Sequence, residues 1–417
     1  MSIRPLRYAA LAAAALLAFT ACSSSSGSDG KAKVTLWMYP VIKDAAASKK
    51  YWEKTEADFE KTHPGIDLNI DLQTFDKRDA QISAALAAGS GPDIVLITPD
   101  QAATYQKVQG LLPVDDALAN QRGAFYPGTL KAATFDGKLY GVPLFQNVNA
   151  TAYNTKIFAD AGLELPRTWA DVLKAAPVLA KKGIAVMDYA GSTEQTLNLS
   201  FYPLLWQAGG AVFTKDGKDV AFDSAAGVSA LQFLVDLKKK GGLPAGAAIA
   251  GPAVQGAPIA AGKVAMRPVT SLPELQQMRA ALGKDSVTLG LPLKDQARAT
   301  YGNPGLLSLT SINKDSNRKA AYEVLSYLSS AKAQASLNAA AGNFPARTDV
   351  QAPGTGPDFK TMTKALKYAN PGEPSPAARQ VMSALAPCIQ AALGGDLSAK
   401  AALDKAAKEA RALLARS

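Results

Sequence analysis

The stretch Gly89-Ser90-Gly91-Pro92-Asp93-Ile94-Val95-Leu96-Ile97-Thr98 opens on turn-forming residues and runs into four apolar residues before polar chemistry returns. A short apolar run bounded on both sides predicts a strand buried on both faces, as in a parallel sheet covered by helices. Upstream, Val34-Thr35-Leu36-Trp37-Met38-Tyr39 predicts a strand stopped by Pro40, and residues 66–72 alternate as another. Between them Tyr51, Trp52, Thr55 and Phe59 mark a helical stripe that ends at His63-Pro64-Gly65, and 80–88 predicts a helix closed by Gly89. Strands alternating with helices indicate the α/β class.

Downstream the same style continues. Residues 168–179 predict a helix with Thr168 as N-cap and Asp171 three residues on. Helices are also predicted over 225–240 and 316–337, strands over 287–292 and 306–310. Two Ala-rich helices, 376–393 and 398–415, are separated by Gly394-Gly395. The coarse reading is two α/β lobes with a helical C-terminal tail.

With 417 residues, 48% of them hydrophobic, the chain is long enough for two full cores, and disorder is excluded. Arg4 and Arg7 precede an apolar run over 8–21 that ends at Cys22, the layout of a secretory signal over 1–21. Phe19-Thr20-Ala21-Cys22 resembles the lipobox of bacterial lipoproteins, with Phe19 where Leu is usual. The resemblance makes Cys22 the lipidated first residue of the mature protein. Residues 22–31, rich in Ser and Gly, then form a flexible tether. The body is expected at the outer face of a bacterial cell membrane. Cys388, left without a partner, is expected as a small buried apolar residue. The net charge of +10 has no basic block longer than Lys238-Lys239-Lys240; it is read as solubility and loose attraction to an anionic envelope, with nucleic acid unexpected for an exported chain.

The chemistry of catalysis is sparse. One histidine leaves no imidazole relay, and His63 is read as a turn residue. No phosphate-binding Gly-Lys loop, nucleophile elbow, calcium loop or zinc spacing is present. Gly89-Ser90-Gly91 precedes a strand, so it is a turn rather than a phosphate cradle. A binder is expected, not an enzyme, working as a monomer with no cofactor and no metal.

The ordered blocks point to one family. Phe59-Glu60-Lys61-Thr62-His63-Pro64-Gly65-Ile66, then Gly91-Pro92-Asp93-Ile94-Val95, Gly110-Leu111-Leu112-Pro113-Val114-Asp115 and Asp136-Gly137-Lys138-Leu139-Tyr140-Gly141-Val142-Pro143 begin the series. Tyr153-Asn154, Pro166-Arg167-Thr168-Trp169, Ala208-Gly209-Gly210, Phe222-Asp223-Ser224, Ala260-Ala261-Gly262-Lys263-Val264-Ala265-Met266 and Gly342-Asn343-Phe344-Pro345-Ala346-Arg347 continue it. Across nearly the whole mature chain this resembles the carbohydrate-type extracellular solute-binding proteins of ABC importers. The resemblance implies a two-lobed periplasmic-binding-protein fold of type II with a hinged cleft. Lobe I would take 32–145 and 306–345, lobe II 146–305 and 346–417. The lobes would be joined by crossings near 143–147, 303–306 and 342–350.

Sites for sugars combine planar polar side chains with aromatic faces. By position in the family, Asp100 matches an acid that contacts sugar in maltose-type members; Gln101 replaces a basic neighbour and Ile97 an aromatic one. Gln146, Asn147 and Asn149 lie on the first crossing, Asn147 where those members carry an acid. Tyr39 ends the first strand. Tyr202 and Trp206 share a helix face, Tyr202 matching a family aromatic, and Glu194 and Asn198 lie just before them. Arg267, on a strand running to the cleft, needs a partner that ligand would supply. Tyr301 and Asn303 adjoin the second crossing and Arg347 the third. Leu272 stands where maltose-type members stack a Trp, which argues for a smaller or differently shaped sugar. The expected function is a lipid-anchored substrate-binding component that captures a mono- or oligosaccharide and delivers it to membrane permease subunits. The rivals are the same fold holding a polyol, sugar phosphate, polyamine or iron complex, an envelope glycosidase, and a chemosensory lipoprotein.

Overall fold

In the computed structural model, which describes residues 30–42, 44–74, 78–193 and 196–415, strand Ile94–Ile97 is buried at every position. The leader, Cys22 and Glu194 lie outside the described residues. The strand sits in a six-stranded sheet ordered Ile66–Leu72, Ala32–Met38, Ile94–Ile97, Pro304–Thr310 and Leu111–Leu112, with Val142–Gln146 also paired to Pro304–Thr310. The first three are parallel and Pro304–Thr310 enters antiparallel. A segment some two hundred residues downstream therefore completes the first sheet. All seven of its residues are buried, which is why it reads as Pro-Gly-Leu-Leu-Ser-Leu-Thr rather than as an alternating strand.

The second sheet is ordered Val287–Gly290, Ala150–Asn154, Val264–Thr270 and Ala185–Met187. Each sheet has its own core. Leu36, Phe59, Ile94, Leu306 and Leu325 belong to one cluster, and Tyr153, Trp169, Phe233, Leu385 and Leu403 to another; a third, with Val148, Ile259, Met278 and Met362, backs the second sheet. The C-terminal helices Ala378–Gly394 and Ala399–Leu414 pack on each other and on Ala225–Lys239, so the tail is part of the second core, with Cys388 buried in it.

Local chemistry explains the element ends. Thr168 and Asp171 form a capping box at the start of Trp169–Ala180, and Trp169 stacks on Phe233 with 4.5 Å between ring centroids. Asp136 and Gly137 both adopt positive φ (50° and 79°) at the tip of the hairpin Thr134–Phe135 and Lys138–Leu139, as an Asp-Gly turn requires. The single helix expected over 316–337 is instead two, Arg318–Leu328 and Ala331–Ala341. Ser330 caps the second by accepting from the Ala333 amide at 3.3 Å, a local bond that competes with helix continuation.

Three backbone segments cross between the sheets side by side. The Asn147 amide donates to the Asn303 carbonyl at 2.9 Å, the Asn149 amide to the Tyr301 carbonyl at 3.2 Å, and Gln146 and Phe344 exchange a backbone pair at 2.8 and 3.0 Å. Gly302 has to be glycine here: a Cβ would come within 2.5 Å of the Asn147 carbonyl oxygen. Among the described residues no helix is long and apolar enough to cross a membrane, and no group of three His, Cys, Asp or Glu side chains gathers as a metal would need.

Candidate functional site

The loops at the carboxyl ends of the first sheet's parallel strands form one wall of the cleft, the usual place for ligand contacts in open α/β sheets. Tyr39 follows Ala32–Met38 directly and is fully buried. Burial pushes its hydroxyl pKa up to about 12, and the Arg78 guanidinium, 5.4 Å above its ring, pulls the other way. Thr98 ends the neighbouring strand and starts helix Pro99–Lys107. Its hydroxyl donates to Asp100 Oδ1 at 2.6 Å and its amide to Gln101 Oε1 at 3.0 Å. Gln101 Nε2 in turn donates to Asp79 Oδ1, and Asp79 begins the facing helix Arg78–Ala88 beside Arg78. The two carboxylates are thus oriented by bonds from their own lobe.

The opposite wall comes from the second lobe. Arg379, the second residue of Ala378–Gly394, brings Nη2 to 3.4 Å from Asp100 Oδ2 and 3.6 Å from Asp79 Oδ2. Tyr301 lies close enough to feel both Asp100 and Arg379, and its hydroxyl pKa is raised, chiefly by burial. Beyond it, Trp206 Nε1 donates to Glu373 Oε1 at 3.4 Å, and the rings of Tyr202 and Trp206 lie 6.1 Å apart. Burial lifts the Glu373 carboxyl to about 7, against the lowering effect of the Trp206 and Val212 donors. Asn198 packs against Gly372, where a Cβ would meet its Oδ1 at 2.9 Å. That Oδ1 and the Tyr202 hydroxyl are buried without a hydrogen-bond partner among the described residues.

The sequence-based site residues therefore divide. Asp100, Tyr39 and Tyr301 gather around the interlobe contact, with Gln101 behind Asp100 as a buried tie. Tyr202 and Trp206 are packed in the second core, leaving no exposed stacking face on Tyr202. Asn147 is exposed on the first crossing and Asn303 is half-buried on the second. Gln146 and Asn149 spend their amides on the crossings themselves, donating to the Pro345 and Tyr301 carbonyls, each at 2.9 Å. Arg267 finds its partners within the chain, at Glu274 Oε1 (2.9 Å), Asp188 (3.3 Å) and the Pro252 carbonyl (2.6 Å), so a ligand is not needed to pair it. Arg347 pairs with Asp349 at 2.7 Å, donates to Gln121 and the Ser329 carbonyl, and lies over the Phe125 ring; this places it against the first lobe.

Asp79, Arg78, Glu373 and Arg379 were not foreseen. The signal for Asp79 was present, an acid in the first turn of the helix that follows a predicted strand. Arg379 sits at the start of a helix read only as tail and Glu373 in the loop before it, and nothing local marks them. His63 is remote from this site, stacked on Phe59 at 4.2 Å and edge-on to Tyr327. The cleft presents carboxylates, guanidinium groups and phenols of balanced charge, suited to hydrogen-bonding a polar solute.

The sequence profile of the family described as bacterial extracellular solute-binding protein matches residues 39–335. The diacetylchitobiose-binding protein DasA of Streptomyces coelicolor is 28% identical over 214 residues, 48% of each chain. The arabinooligosaccharide-binding protein of Bacillus subtilis is 25% identical over 231 residues, 53% of this chain and 51% of its own. The matched stretch thus spans about half the length of these curated relatives. Among solved structures, the cyclic α-maltosyl-1,6-maltose-binding protein of Arthrobacter globiformis superposes with a TM-score of 0.79 at 21% identity, covering 93% of this chain and 100% of that one. The GacH receptor of Streptomyces glaucescens gives 0.72 at 24% identity, covering 92% and 99%. These likenesses establish the two-lobed fold.

Proposed function

From the chain's membership of the bacterial extracellular solute-binding protein family, we propose that it captures a neutral mono- or oligosaccharide between its lobes and delivers it to the permease of an ABC importer. The observation that carries this reading is the placement of Asp100. It is oriented by Thr98, shares Arg379 with Asp79, and has Tyr301 beside it, a mix of planar hydrogen-bonding groups and aromatics that suits sugar hydroxyls. An anionic solute is disfavoured, because Arg267 and Arg347 are each neutralised elsewhere and the guanidinium groups at the cleft, Arg78 and Arg379, stand against the carboxylates of Asp79 and Asp100. Ligand touching both walls stabilises the closed state by its differential affinity for it, and the permease reads that state. Cys22 would tether the body to the outer face of the membrane, and Cys22→Ser would release it.

The test is calorimetric binding against neutral sugars, polyols and sugar phosphates. The ligands named for the relatives, diacetylchitobiose and arabinooligosaccharides, put short oligosaccharides first in the panel. One saturable neutral sugar, unchanged on long incubation, is the expected result. A flat sugar series with a polyol or phosphate hit overturns the substrate class, and consumption of the ligand overturns the assignment as a binder.

A further inference from the structure

Arg379 stands where its own helix gives it no reason to be. A cation at the second position of a helix faces the positive end of the macrodipole and the unpaired amides of the first turn. Its side chain is 68% exposed, yet it extends across the cleft to two carboxylates of the other lobe, Asp100 at 3.4 Å and Asp79 at 3.6 Å. Those carboxylates are already positioned without it. Thr98 donates to Asp100, and Gln101 and Arg78 flank Asp79. The arrangement is a preformed acidic receptor on one lobe and a single long cationic arm on the other.

We propose that Arg379 is an interlobe clasp, which with Asp79 and Asp100 holds a fraction of the ligand-free protein closed and is displaced when ligand hydroxyls take the Asp100 carboxylate. The clasp's displacement rests on the cleft reading above, but the clasp is tested without ligand, so a flat sugar panel and a failed clasp are separate results. Exposed ion pairs are weak, which suits a contact that must open in every cycle. Two of them shift the closed-to-open ratio by about two- to fivefold. They also fade with salt, since the screening length falls from about 30 Å at about 0.01 M to about 3 Å at about 1 M.

The experiment is small-angle scattering of the exported, ligand-free protein at those two salt concentrations. Wild type is expected to open as salt rises. Arg379→Gln is expected to be open already at low salt, with its closed-to-open ratio reduced about two- to fivefold and its salt response lost. Asp79→Asn with Asp100→Asn should reproduce that behaviour, and the exchange Asp100→Arg with Arg379→Asp, combined with Asp79→Asn so that no like charge faces position 379, should restore closure. Scattering of Arg379→Gln identical to wild type at both salts overturns the clasp, as does opening by the double Asn variant alone.

Discussion

The two walls of the cleft are built by different means. The first-lobe wall is polar and fixed by short-range bonds at helix starts: Thr98 to Asp100 and Gln101, then Gln101 to Asp79. The second-lobe wall, with Arg379 and Tyr301, is backed by an aromatic layer fixed by burial: Tyr202 and Trp206 are embedded in a core that also holds Phe201 and Phe222, and Glu373 accepts from Trp206. The difference teaches where mutations will be felt. Changes to the first wall should alter recognition and leave the fold intact; changes to the layer behind the second should unfold before they inform about recognition.

The largest expected effect follows directly. Trp206→Ala removes a side chain only 6% exposed and should cost about 3–5 kcal/mol in urea unfolding. A loss below about 1 kcal/mol would break the comparison by showing Trp206 to be a platform rather than core. Next comes Glu373. Its folded-state pKa of about 7 lies above the usual 4.5, so between those values the folded protein holds a proton that the unfolded chain releases. This contribution is fully present below about pH 4.5 and falls away as pH rises through 7, by on the order of 2–3 kcal/mol. Unfolding at pH 5 and pH 7.5 should show Glu373→Gln flatter than wild type by that amount; equal slopes would remove Glu373 from the buried wall.

On the first wall, Asp100→Ala should weaken ligand binding by about 1–3 kcal/mol in calorimetry while unfolding barely moves. Equal losses in both measurements would erase the distinction between the walls. Smallest is Thr98→Ala, which deletes a helix cap worth about 1 kcal/mol. If the cap also aims Asp100, binding should weaken along with stability, and unchanged binding would show that Asp100 orients itself.

Much of the fold was legible because its signals are local. The apolar run 94–97, the Asp136-Gly137 turn and the Thr168–Asp171 box each contain their own physical cause within a few residues. The site was legible only in part. The position of Asp100, just after a strand and at the interlobe contact, could be read because that strand is recognisable. Gln101, Gln146, Asn149, Arg267 and Arg347 are polar residues near the cleft or its crossings in sequence, but backbone carbonyls, a cap and internal carboxylates use them first. A sequence shows that a polar side chain exists, not which unsatisfied group will claim it. Arg379 is the converse case: its partners lie some three hundred residues away, and no periodicity records them.

The three crossing segments, bonded edge to edge through Asn147, Asn149, Asn303 and Gln146, also set how the protein can move. Strands laid side by side flex readily across their common plane and resist twisting within it. Opening and closing of the lobes would then reduce to one coordinate, a single bending angle. On the proposed function, solutes of different shape that close the cleft would bring the two outer faces to the same relative orientation. The diversity of chemistry inside would be compressed into one mechanical variable outside.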